Sequence, residues 1–155
     1  MYGQGLHSGA KTGLTISPLP PFSGILFGHI TSGGTVSALL SNVDSTGYST
    51  CLQHDGLIAR TIEHLMAVFH IYGLTNVLVK ISGEVPIMDG SALEFCDLVE
   101  SAEIITQEET TEEIVISEPI ELPQTPGNSK SMRVEPSDFF EIDYFLDYPQ
   151  PVGQM

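Results

Sequence analysis

The sequence predicts an α+β fold, and three observations carry that expectation. The first 40 residues break short apolar runs with Gly, Ser, Thr and Pro, which is the pattern of short strands. Two stretches, 61–73 and 91–102, place apolar residues at helical spacing instead. Three further strand candidates follow the second helix.

Thr12, Leu14 and Ile16 alternate along an extended segment that ends at Pro18, and Pro20-Pro21 then forces a turn or linker. Gly24 to Phe27 and Val36 to Leu40 read as further strands of a meander, parted by the turn Thr31-Ser32-Gly33-Gly34. Over 61–73, Thr61 is the expected N-cap, Glu63 suits the dipole of the first turn, and Gly73 is the expected stop. Ile62, Leu65, Met66, Phe69 and Tyr72 make one stripe, and Ala67, Val68 and Ile71 extend it, so burial around most of the helix is expected. Leu74 to Ile81 follows as a strand with Val77, Val79 and Ile81 on one face.

Gly83 to Gly90 is a loop punctuated by Gly and Pro, in which Asp89-Gly90 has the form of an Asx turn. Ser91 and Glu94 form an S-x-x-E capping box for the second helix, whose stripe is Ala92, Phe95, Cys96 and Val99. Glu108 to Glu113 reads as a solvated acidic linker. The last strand candidates are Ile114–Leu122, Ser131–Glu135 and Phe139–Asp147, with the loop Pro123 to Asn128 joining the first two. Those strands need a helix layer or a second sheet to cover them, and only a short Pro-containing tail follows. Either they pack on the first domain, or a partner covers them, or the chain is the front part of a longer protein, and the last is the favoured expectation.

Charge is distributed unevenly over the 155 residues. Residues 1–80 hold Lys11, Arg60 and Lys80 against Asp44, Asp55 and Glu63, while 81–155 carry the whole net charge of −15. Such an acidic chain is a poor general binder of nucleic acid or of anionic lipid, both of which call for Lys and Arg. The apolar fraction of 41% is enough for a core and argues against disorder throughout. Cys51 and Cys96 form no C-x-x-C pair, and a reduced, cytoplasmic setting is expected, with one disulfide left open. No apolar run is long enough to span a membrane.

Glu63-His64, at the head of an apolar helix, is where chemistry is most expected. A carboxylate or imidazole there is costly to bury without a partner. One reading is a helix-capping Glu63 and a His64 bonded to a nearby carbonyl. The other is a metal ligand, His64, beside a general base, Glu63, since neighbours on a helix point about 100° apart. His70 lies six residues beyond His64, so no H-E-x-x-H site exists. His29 is expected to be exposed, and His54 to sit at a hairpin tip. His7, in Gly5-Leu6-His7-Ser8-Gly9, lies in a small-residue loop that permits close approach to a ligand or backbone. Neither GxGxxG, a P-loop nor G-x-S-x-G occurs.

Taken together, Gly5-Leu6-His7-Ser8-Gly9, Thr61-Ile62-Glu63-His64-Leu65 and Glu84-Val85-Pro86-Ile87-Met88-Asp89-Gly90-Ser91 resemble, in order and spacing, the UDP-3-O-acyl-N-acetylglucosamine deacetylases. Leu74-Thr75-Asn76, Arg133 to Asp138 and Tyr148-Pro149 fit as well. The resemblance implies two similar α+β domains, each a two-layer sandwich of antiparallel sheet on helices. Residues 1–107 would form the first, 108–113 the linker, and 114–155 the opening strands of an incomplete second.

It also implies a zinc-dependent amide hydrolase of lipid A biosynthesis, acting on a UDP-3-O-acyl-glucosamine-type substrate. His64 would be a zinc ligand and Glu63 the base that activates water. Asp89 would support catalysis, and His7 would lie near the substrate. The family's other ligands come from an H-K-x-x-D-x-x-G-D motif that this sequence lacks. One ligand is short of the three that catalytic zinc needs, so this chain alone is expected to bind zinc poorly and to be inactive. The missing second domain would be its partner. The competing expectation is a non-catalytic binding or regulatory module that dimerises through its uncovered sheet.

Overall fold

The computed structural model describes residues 1–123 and 130–155. Contacts divide the chain into two units, Met1–Thr111 and Glu112–Met155.

The first unit holds the core. Its larger sheet contains β1 (Tyr2–Gln4), β2 (Lys11–Pro18), β3 (Ile25–His29) and β4 (Thr35–Ser37). A second sheet follows, made of β5 (Val43–Ser45), β6 (Cys51–His54) and β7 (Leu57–Ala59). Next come α1 (Glu63–Ile71), β8 (Val77–Ile81) and α2 (Leu93–Glu100). The larger sheet runs β1-β2-β8-β3-β4 and the smaller β5-β6-β7. Because strand side chains alternate, register puts Ile16, Val79, Phe27 and Val36 on one rung across four strands. That face forms a single apolar cluster with Leu65, Val68 and Phe69 of α1 and Phe95 and Val99 of α2. Thr15 and Lys80, on the opposite face, are exposed. One face dry and one wet is the arrangement of a sheet covered by a single helix layer.

Several expectations need correction. Pairing of β3 with β8 is parallel, so the sheet is mixed and not purely antiparallel. The chain between them passes through the second sheet and α1, which is long enough for a crossover. An alternating pattern reports which face is buried and says nothing of direction. The strand expected over Val36 to Leu40 ends at Ser37 and gives way to a 3-10 turn at Leu40–Asn42. Helix α1 is buried along Ile62, Leu65, Val68 and Phe69, but Ala67 is exposed and Ile71 is 72% exposed. A single sheet face can cover only one stripe of it. Its end is as expected: Gly73 has φ +65°, Leu74 N–H donates to Phe69 O and Gly73 N–H to His70 O, which closes a Schellman motif. His54 lies at the β6–β7 hairpin, whose tip Asp55-Gly56 has both φ angles positive. His29 is half-buried, its Nδ1 paired with the Thr31 hydroxyl.

In the second unit, β9 (Ile120–Glu121) pairs antiparallel with β10 (Arg133–Val134). Arg133 bonds both Glu121 and Glu135. An isolated bridge joins Asp147 to Gln154. Among the described residues, the three strands expected here shrink to two short ones. Among the described residues Phe139–Asp147 keeps its alternating pattern but forms no strand, only the bridge at Asp147, and Phe140, Ile142 and Tyr144 are all exposed. Alternation yields a strand only when a neighbouring strand takes up its backbone groups. The loop expected over Pro123 to Asn128 lies, past Pro123, outside the described residues.

Candidate active site

Three segments of the first unit meet around one buried carboxylate, that of Glu84, which is 3% exposed. The first is the β1–β2 connection. Gly5 N–H donates to Ala10 O and Gly9 N–H to Gly5 O, which folds Gly5 to Gly9 into a tight loop. Two amides within it point inward: His7 N–H donates to Glu84 Oε1 (2.9 Å) and Ser8 N–H to Glu84 Oε2 (3.1 Å). The second segment leads into α1, where the Thr61 hydroxyl donates to the same Oε1 (3.1 Å). The third is the strap around Glu84. Arg60 N–H donates to Gly83 O and Val85 N–H to Arg60 O on one side, and Ile87 N–H donates to Gln4 O on the other. The Thr12 hydroxyl donates to Glu84 O at 2.6 Å.

Burial alone would raise the Glu84 carboxyl. The donors from His7, Ser8 and Thr61 outweigh it and hold the group below the usual carboxylate value. It is therefore an anion in the folded protein, satisfied by charge-assisted bonds.

Thr61 does not cap α1. The N-cap is Ile62, without a side-chain cap bond. Thr61 instead has φ +59°, a left-handed conformation that is costly for a β-branched residue. With that backbone, its hydroxyl reaches Glu84. Two residues later Glu63 opens the helix, half-buried, and its Oε2 accepts from Thr50 N–H (2.9 Å). Thr50 O in turn accepts from Ile62 N–H. The first turn of α1 is thus fixed from the connection between β5 and β6. His64 is also half-buried, and its imidazole makes no hydrogen bond to any described residue, so its ring nitrogens stay available. His7 is anchored through its backbone, and its side chain is exposed.

Asp89 stands apart from this arrangement. It is exposed, and its Oδ1 accepts from Ser91 N–H (2.9 Å) and the Ser91 hydroxyl (2.8 Å), the Asx turn expected from the sequence. The Ser91 hydroxyl first, then its amide, keeps the Asp89 carboxyl below its usual value. Ser91 Oγ also accepts from Leu93 N–H at the head of α2, whose N-cap is Ala92. The Ser91 hydroxyl thus meets Leu93 and not Glu94, so the expected capping box does not form. Cys51 and Cys96 are free thiols.

Among the described residues, no three His, Cys, Asp or Glu side chains group so as to hold a metal. The described residues do not by themselves fit a catalytic zinc centre, which needs three protein ligands. His64 is a single candidate donor. Glu84 is the residue that sequence reasoning left without a role. A lone acid in a Gly- and Pro-punctuated loop looks solvated, and nothing local signals its distant donors.

The segments that converge on Glu84 are those whose order and spacing resemble the deacetylases. The family model for UDP-3-O-acyl N-acetylglycosamine deacetylase matches residues 1–155. The chain belongs to this family. Curated relatives named UDP-3-O-acyl-N-acetylglucosamine deacetylase agree with it. That of Myxococcus xanthus is 39% identical over 157 residues, covering 99% of this chain and 49% of the relative. The Helicobacter hepaticus protein is 36% identical over 153 residues, 98% of this chain and 50% of its own. That of Methylococcus capsulatus is 39% identical over 153 residues, 97% and 49% respectively. The chain spans about half the length of the family relatives it matches. No helix among the described residues is long and apolar enough to cross a membrane.

Proposed function

We propose that this chain supplies the front half of a zinc-dependent deacetylase that removes the acetyl group from a UDP-3-O-acyl-N-acetylglucosamine in lipid A biosynthesis. The observation that carries the reading is the first turn of α1. Glu63 and His64 lie side by side, half-buried, on a turn fixed by Thr50 and by the strained Thr61. Hydrolysis of an amide needs a base to take a proton from the attacking water, and Glu63 would take it, a role that its half-buried carboxylate at the head of α1 supports. His64 gives one nitrogen donor to a zinc site completed by residues outside this chain. His7 lies on a loop tied to the same lead-in and contacts the substrate. Asp89 supports the site from the turn before α2. The free thiols of Cys51 and Cys96 suit a reducing compartment, in keeping with a cytoplasmic step.

The test is acetate release from UDP-3-O-acyl-N-acetylglucosamine by the native gene product, beside its His64→Ala variant. Zinc-dependent release by the wild type, lost with His64→Ala together with most of the bound zinc, supports the reading. No release by the native product, or an unchanged rate and zinc content in His64→Ala, overturns it.

A further inference from the structure

We propose that Glu84 is a positioning residue of this site: its carboxylate clamps the His7–Ser8 loop to the Thr61 lead-in of α1. The inference rests on the deacetylase reading for what the site does, but not for the clamp itself. Geometry supports it in three ways. One oxygen, Oε1, takes both the His7 amide and the Thr61 hydroxyl, so a loop and a helix start that are far apart in sequence share a single acceptor. The other oxygen takes the Ser8 amide. Gly5 is the residue the clamp requires: a Cβ there would lie 2.3 Å from Glu84 Oε2 and 2.4 Å from Ser8 Oγ. The loop closes onto the carboxylate only without a side chain at that point.

A carboxylate suits this task and an amide does not. All the groups that face Glu84 are donors, and an ionised carboxylate is acceptor-only. Glutamine of the same shape would turn an NH2 group toward at least one of them. Thr61 makes the consequence local. Its left-handed backbone sets the direction in which α1 starts, two residues before Glu63, and the bond to Glu84 helps hold it there. Loss of the clamp frees the His7 loop and the start of α1 while the apolar cluster, which Glu84 does not join, stays packed.

The experiment pairs Glu84→Gln with Thr61→Val. Amide hydrogen exchange of the 155-residue chain reads the clamp without any activity. In Glu84→Gln, His7 and Ser8 should exchange roughly tenfold faster or more, with Phe27 and Val79 unchanged. In Thr61→Val, which keeps the carboxylate, His7 and Ser8 should stay protected. Kinetics of the native gene product then separate the two ends. Glu84→Gln should raise KM and lower kcat, and Thr61→Val should lower kcat with KM nearly unchanged. Unaltered exchange at His7 and Ser8, or equal loss of protection in the core, overturns the clamp. Absence of acetate release by the wild type overturns the deacetylase reading alone.

Discussion

Replacing Gly5 by alanine isolates the close approach on which the site depends. Gly5 does not have the left-handed backbone that only glycine tolerates well, so the added methyl acts by volume alone. It would meet Glu84 Oε2 at 2.3 Å, Ser8 Oγ at 2.4 Å and Glu84 Cδ at 2.8 Å. The far end of a glutamate would normally swing aside at little cost. This one is buried and held by His7, Ser8 and Thr61, so moving it lengthens bonds to a charged acceptor. Overpacking of this kind costs about 1–3 kcal/mol. Each weakened bond to a charged group adds a share of its roughly 1.5–3 kcal/mol. The stiffer unfolded chain returns about 0.4–1 kcal/mol. A net loss of about 2 kcal/mol is expected, a fall in Tm of roughly 8 °C at about 4 °C per kcal/mol for a unit of this size. Gly33→Ala is the control, because its Cβ meets nothing within 4 Å and its φ is not left-handed. Thermal unfolding of the two variants side by side is the assay. Gly5→Ala as stable as Gly33→Ala would refute the close approach.

Other expectations follow from the same structure. Phe69→Ala, at a fully buried position of α1, should cost about 3–5 kcal/mol in denaturant unfolding, whereas Ala at the exposed Ile71 should cost far less. Because Glu84 titrates below its ordinary 4.5 in the folded protein, its contribution to stability is complete above that pH and drains away as pH falls toward the lower folded value. Denaturant unfolding across that acidic range should show the loss, and Glu84→Gln should remove that part of the slope. Tyr72→Phe deletes the hydroxyl that donates to Glu100 across α1 and α2. It should shift the tyrosine titration seen by absorbance, since that bond pushes the Tyr72 phenol up.

Much of the first unit was legible because burial writes itself as period. Val77, Val79 and Ile81 alternate and are buried, and Phe95 and Val99 keep helical spacing and are buried. Gly73 stops α1 because a positive φ favours the one residue without a Cβ. What escaped was set by distant partners. Thr61 has the side chain of a cap, but its hydroxyl goes to Glu84, 23 residues away, because the backbone there turns left-handed. Glu84 looked like one acid among many in an acidic half, and two of its donors come from 76 and 77 residues upstream. The Phe139–Asp147 pattern was read correctly as alternating, but the half-buried strand expected there is exposed at Phe140, Ile142 and Tyr144 and, among the described residues, forms only the bridge at Asp147, since sequence period does not supply a neighbouring strand. At the candidate site, Glu63 and His64 stood out because an acid and an imidazole interrupt an apolar helix. The clamp behind them had no such local mark.

The role proposed for Glu63 is to take the proton from water. Its most direct test is the rate of acetate release from UDP-3-O-acyl-N-acetylglucosamine by the native gene product and by its Glu63→Gln variant, with bound zinc measured in both. The account predicts a rate lower by about two orders of magnitude or more, with zinc retained. A Glu63→Gln protein that holds its zinc and turns over at the wild-type rate would contradict it.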